Sequence, residues 1–195
     1  MSVPGGNSVQ LICLRSSRNW NGFREYVDRL NKMDFTDRAK RTRLLLMDCD
    51  GVLTDGRVYF SINGEELKVF DVKDGQGLVT WHRAGFESGI ISGRGAAAII
   101  KARADEIGIK YVWTSSKDKV ADFHQIIAHA GVTPFEVAYV GDDIGDIPLL
   151  GLVGLPIAVA DAVDETKAAA IFITKARGGR GAIREVTEAL LNAKR

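Results

Sequence analysis

Cysteine is almost absent from this chain of 195 residues: only Cys13 and Cys49 occur, which excludes a disulfide framework or a thiolate metal centre. A reducing cytoplasm fits that usage best. Cys49, set between two aspartates, reads as a small core residue and not as a reactive thiol. Long apolar runs are also missing, and nothing approaches the ~20 residues that span a bilayer. The early stretch from Val9 to Leu14 is broken by Gln10 and has neither a basic leader nor a small-residue cleavage site, so no export signal is expected. A dominant charge is lacking too. With 26 Lys and Arg against 25 Asp and Glu the formal charge is +1, which gives no broad field for nucleic acid or an anionic membrane. What remains, 46% apolar and 26% charged residues, is ordinary globular composition for one domain with an appendage.

Residues 1–42 form that appendage, an N-terminal extension. Trp20, Phe23, Val27 and Leu30 recur at helical spacing, which predicts one short amphipathic helix from about Trp20 to Met33. Asp34 to Arg43 reads as a polar linker. From residue 43 to 195 the pattern changes. Short apolar runs (Leu44–Met47, Gly89–Ile91, Tyr111–Trp113, Val137–Val140, Ile157–Val159, Ile171–Ile173) alternate with helical stretches at 76–84, 96–107, 119–130, 144–152, 164–169 and 182–193. Such alternation predicts an α/β fold, a Rossmann-like three-layer parallel sheet with helices on both faces. Ligands of such sheets gather at the carboxyl ends of the strands. Two strand-like segments, Arg57–Ser61 and Glu66–Val72, flank Ile62-Asn63-Gly64-Glu65, and Asn-Gly is a strong hairpin signal. A small β-hairpin flap is therefore expected. No segment is long enough for a cap domain.

Chemistry concentrates at the strand ends. After Leu44–Met47 comes Asp48-Cys49-Asp50-Gly51; residues two apart on an extended backbone share a side, so Asp48 and Asp50 lie together. Paired carboxylates repel unless a cation or a proton intervenes, and a hard cation such as magnesium suits oxygen donors. Asp-x-Asp-Gly alone also fits a capped turn. The strand Val137–Val140 is followed by Gly141-Asp142-Asp143-Ile144-Gly145-Asp146, a second acidic cluster at the same sheet edge. A divalent metal between Asp48 and Asp142 would offset their repulsion. Asp143 or Asp146 could stand behind it, although helix capping is the simpler reading of Asp146. Ser92-Gly93-Arg94 follows a third strand and opens a helix, which suits either a phosphate oxygen or a plain cap. Lys117 and Lys119 sit at the start of another helix, where a cation opposes the dipole; a functional duty would explain this, as would simple solvation.

Asp48-x-Asp50-Gly51, then Ser92, then Lys119, then Gly141-Asp142-Asp143-x-x-Asp146, in that order on successive strands, resembles the haloacid dehalogenase superfamily of phosphotransferases. The likeness spans about residues 43–193. The hairpin with Asn63-Gly64-Glu65, the run Val72-Lys73-Asp74-Gly75 and the tail Gly178-Gly179-Arg180-Gly181-Ala182 look like its capless branch. That branch includes phosphatases of 3-deoxy-D-manno-octulosonate 8-phosphate in lipopolysaccharide sugar synthesis and related nononate-phosphate enzymes. The resemblance implies a magnesium-dependent phosphatase of a phosphorylated sugar acid, the octulosonate ester before the nononate. It implies Asp48 as nucleophile, Asp50 as general acid/base, and Ser92 and Lys119 as holders of the phosphoryl group. Magnesium would be bound by the Asp48 and Asp142 carboxylates and the Asp50 carbonyl. Lys73, Gly93, Arg94 and Arg180 are the expected substrate contacts, since an anionic sugar acid calls for cations. A homotetramer whose flaps and tails close neighbouring sites is implied as well. Two other classes share parts of this pattern: a phospho-aspartate receiver, against which Asp50 argues, and a catalytically silent assembly module.

Overall fold

The computed structural model describes residues 33–195; the helix expected from about Trp20 falls outside the described residues, as does Cys13. The expected linker is not a linker. Residues Phe35–Arg41 form helix α1, whose N-cap Asp34 accepts the Asp37 N–H. Its polar composition hides how it is anchored: Ala39 is buried, and the buried Arg38 guanidinium donates to the Gly154 carbonyl at 2.6 Å. Lys194 Nζ adds to this by donating to the carbonyls of Ala39, Lys40 and Thr42 at 2.7–3.0 Å.

Six parallel strands build the sheet: β1 (Leu44–Met47), β4 (Glu87–Ile91), β5 (Tyr111–Trp113), β6 (Val137–Gly141), β7 (Leu155–Ala158) and β8 (Phe172–Ile173), in the order β5-β4-β1-β6-β7-β8. β1 is central, and its register sets Met47 beside Ile90 on one side and Val140 on the other. All four β1 residues are buried, with Leu45 and Met47 in one core cluster and Leu44 and Leu46 in the other. That two-sided burial is the mark of a parallel sheet covered on both faces, as the continuous apolar runs predict.

Between β1 and β4 lie the hairpin strands β2 (Tyr59–Ser61) and β3 (Gly64–Leu67) and then helix α2 (Val72–Arg83). The hairpin is tighter than expected: Ser61 pairs with Gly64, leaving Ile62 and Asn63 as the turn. Its second strand also ends sooner, because Asp71 caps α2 by accepting the Lys73 N–H and so draws Val72 and Lys73 into a helix. Among the described residues there is no cap domain. The remaining helices are α3 (Ala97–Ile107), α4 (Lys119–Ala130), α5 (Ile147–Leu150), α6 (Asp164–Ala168) and α7 (Ala182–Ala193), with a short 3-10 turn at Ile144–Asp146 ahead of α5. α2 packs on α7, and the buried Asp74 accepts the Gly181 and Arg184 N–H groups at the start of α7, at 3.1 and 2.8 Å. No helix among the described residues is long and apolar enough to cross a membrane.

Candidate active site

The carboxyl ends of β1, β4 and β6 meet at the middle of the sheet. β1 runs directly into Asp48, whose N–H bonds to the Val140 carbonyl at 3.0 Å and so extends the ladder by one residue. The chain then turns back on itself: Leu53 and Thr54 N–H groups both return to the Cys49 carbonyl, at 2.9 and 3.0 Å. Gly51 has φ +86°, and a Cβ there would fall inside the Asp142 carboxylate. The Asp50–Gly51 backbone thus runs against Asp142, a contact that only glycine permits. The tail glycines brace this loop from outside. A Cβ on Gly178 would overlap the Gly51 carbonyl, and the Gly179 N–H donates to the Val52 carbonyl at 2.9 Å.

Asp48, Asp142 and Asp146 bring one carboxylate oxygen each within 4.8 Å of one another. Lys119 reaches into this group from the first turn of α4, its ammonium 2.9 Å from Asp48 Oδ2 and 2.8 Å from Asp146 Oδ1. The helix start that disfavours a cation is occupied by one because two carboxylates receive it. Burial pulls the Lys119 pKa down, but the charges of Asp48 and Asp146 outweigh this and leave it raised. Burial also pushes Asp48 up to about 6, with Lys119 opposing and Asp146 adding to the shift. Asp142 is pushed to about 8, first by burial and then by the charges of Asp146 and Asp48.

Asp146 is 1% exposed and its oxygens are fully engaged. Oδ1 accepts from Lys119 and from the buried Tyr139 hydroxyl at 2.6 Å; Oδ2 accepts the Asp142 and Asp143 N–H groups at 3.0 and 3.4 Å. With about four lone-pair sites on a carboxylate so taken, Asp146 organises the cluster, while Asp142 keeps capacity for a ligand. Asp142 Oδ1 is buried and has no hydrogen-bond partner among the described residues. A buried, unpaired carboxylate oxygen facing other carboxylates is costly unless a cation completes it. The all-oxygen donor set fits a hard divalent ion such as magnesium. Asp143, exposed, caps the following 3-10 turn through the Ile144 N–H at 2.7 Å and lies outside the cluster.

Asp50 occupies the other side of the site. Its Oδ2 accepts from the Ser92 hydroxyl at 3.4 Å, and its Oδ1 is paired with Lys68 Nζ. Ser92 is buried at the end of β4, where its Oγ accepts the Arg94 N–H at 3.2 Å. The loop after β5 locks onto the same segment, with Ser116 N–H on the Ser92 carbonyl and Ser115 N–H on the Arg94 carbonyl, each at 3.0 Å. Asp48, Asp50, Ser92, Lys119 and Asp142 are therefore drawn together, with Gly93 and the exposed Arg94 at the rim. Lys73 and Arg180 stand apart. Lys73 is exposed on the first turn of α2, and the Arg180 guanidinium pairs with Asp55 at 3.3 Å. Sequence reasoning missed Lys68 and Tyr139. Lys68 sits in a stretch read only as strand, and Tyr139 in an apolar run read only as core; neither carries a local signal of its role.

Fold and site together define a phosphate-handling α/β hydrolase built on carboxylates at a parallel sheet edge. Residues 81–184 match the family model for the haloacid dehalogenase-like hydrolases. The 3-deoxy-D-manno-octulosonate 8-phosphate phosphatase KdsC of Yersinia pestis is 41% identical over 160 residues, covering 82% of this chain and 85% of that protein. The 3-deoxy-D-manno-octulosonate 8-phosphate phosphatase of Moraxella catarrhalis, solved with magnesium ion, phosphate ion and KDO, is 35% identical with a TM-score of 0.78, covering 82% and 91% of the two chains. The cobalt-bound form of the Haemophilus influenzae enzyme is 34% identical with a TM-score of 0.78, covering 80% of this chain and 91% of that one. The chain belongs to the haloacid dehalogenase-like hydrolase family.

Proposed function

We propose that this protein is a magnesium-dependent phosphatase of 3-deoxy-D-manno-octulosonate 8-phosphate that works through an aspartyl-phosphate on Asp48. The observation that carries the reading is the meeting of Asp48, Lys119 and the unpaired Asp142 oxygen at one strand edge, in a chain 41% identical to an enzyme of that name.

The Asp48 and Asp142 carboxylates and the Asp50 carbonyl would hold the cation. When bound, magnesium supplies positive charge against which the phosphoryl oxygens and the two carboxylates can gather. Asp48 attacks phosphorus in line while Asp50 gives its proton to the departing sugar oxygen. Asp50 then takes a proton from the water that cleaves the acyl phosphate, returning Asp48 as a carboxylate. Lys119 and Ser92 hold the phosphoryl oxygens in place, and Tyr139 with Asp146 keeps Lys119 aimed at them. Arg94 is the cation at the rim for the sugar acid's own carboxylate, with Lys73 and Arg180, which stand further off, as the remaining expected contacts.

Assembly as a cytoplasmic homotetramer belongs to the same reading. The hairpin exposes Tyr59, Phe60, Ile62 and Leu67, with Ile62 at 102%, and an apolar flap of this kind calls for cover. Light scattering on the purified chain tests the tetramer directly. For the chemistry the test is Asp48→Asn with magnesium and the octulosonate ester. Phosphate release should fall by about 10³-fold or more with the fold intact by circular dichroism. Full activity in that variant rejects the proposal.

A further inference from the structure

The hairpin contributes one side chain to the site that phosphate handling does not account for. Lys68 follows directly on β3, and its side chain is 0% exposed. A lysine ammonium is strongly hydrated, so it stays buried only where an anion offsets the lost water. Its Nζ pairs with Asp50 Oδ1, while Asp50 Oδ2 faces Ser92 Oγ at 3.4 Å. The two oxygens of one carboxyl group are thus divided between the flap and the phosphate-side loop. Rotation about the bond to a carboxyl group is soft, so the group needs a partner to fix it.

We infer that Lys68 is a positioning residue: by holding Oδ1 it turns Asp50 so that Oδ2 delivers the proton to the leaving oxygen. The inference rests on the proposed acid role of Asp50. In that step the bond from phosphorus to the ester oxygen breaks with its electron pair on that oxygen. An Asp48 oxygen bonds to phosphorus, and the Asp50 proton passes to the departing oxygen. Asp50 is left as a carboxylate, already paired at Oδ1 with an ammonium. Because Lys68 is carried by the hairpin, a displaced flap also displaces the acid, which links an open flap to a slow enzyme.

Esters of poor leaving groups need this proton and esters of good ones do not, so the test is kcat/KM on a leaving-group series with magnesium present. The series is p-nitrophenyl phosphate, phenyl phosphate and the octulosonate ester. General acid help is worth roughly 10²–10⁴-fold, so a loosened acid in Lys68→Met should cost about 10–100-fold on the sugar ester and progressively less along the aryl esters. Loss on p-nitrophenyl phosphate should stay within about threefold, since that anion departs unaided. Lys68→Arg should recover most of the loss, and Lys68→Gln serves the same series should the Met variant not fold. Equal loss on both aryl esters would overturn the inference, as would a loss confined to the sugar ester, which would make Lys68 a sugar contact. Asp50→Asn separates the two claims. If that variant shows no leaving-group order, the acid role itself fails; if it shows the order and Lys68→Met does not, only the positioning role fails.

Discussion

Metal-free protein should lose stability as pH rises from 6.5 to 8, and magnesium should abolish that loss. The reason is the raised pKa of Asp142, about 8 against an ordinary value of 3.8. Between those values the folded state holds a proton that the unfolded chain has released. The slope of unfolding free energy with pH is therefore negative, and the stability is lost as pH climbs through the folded value. One proton is worth about 1.4 kcal/mol per pH unit, so 1.5 units set an upper bound of about 2 kcal/mol. Solvent reaches the partly exposed Asp142 and reduces this. For a domain of this size 2 kcal/mol is roughly 4–8 °C in Tm. Asp48, pushed to about 6, adds to the slope only at lower pH. His82 works the other way. Burial lowers its pKa, so it stabilises above 6.5 and costs stability below, which is why the comparison starts there. The assay is urea unfolding at pH 6.5, 7.25 and 8, with chelator and with magnesium. A metal-free stability that is flat or rises over this interval refutes the reasoning, as does a slope that survives in Asp142→Asn.

Three substitutions probe the scaffold around the site. Tyr139→Phe removes the buried hydroxyl on Asp146, a bond to a charged group worth about 1.5–3 kcal/mol, and leaves Lys119 less firmly aimed. Thermal melts should show the loss, and kcat should drop roughly tenfold with KM little changed. Gly178→Ala forces a methyl into the Gly51 carbonyl and should cost about 1–3 kcal/mol in urea melts while lowering kcat; unchanged values would dismiss the brace. Asp74→Ala deprives α7 of the acceptor for its first N–H groups and should cost about 1–2 kcal/mol without touching kcat.

Much of the fold and of the acidic site is legible in the residues at the strand ends. β1, β5, α4 and α7 occupy the residues that periodicity assigns them, but the turn after Asp48 ends the extended alternation expected there and sends Asp50 to the other side of the site, toward Lys68 and Ser92. What stayed hidden depends on long-range contacts. α1 has too few apolar positions for a visible stripe, because its burial relies on Ala39 and on an arginine bonded to Gly154. Val72 looked like strand because the cap by Asp71 competes with β-propensity and wins. Lys68 is a polar residue in a plain local setting; only the packing of the hairpin against the sheet turns it inward. Asp146 makes no side-chain cap bond to the helix it precedes, contrary to the capping read from sequence; it instead closes the capping box begun by Asp143 and joins a buried network that no local pattern records.

The brace between Gly178–Gly179 and the loop after β1 joins residues some 125 positions apart, much as the Arg180–Asp55 pair does. The first strand among the described residues lies at the centre of the sheet, and it pairs with β6, which follows about 90 residues later. A nascent chain therefore carries its reactive loop without this brace until some 125 further residues have been made. Loss of the last 20 residues would remove α7 and leave that loop slack, whatever the state of the aspartates it bears.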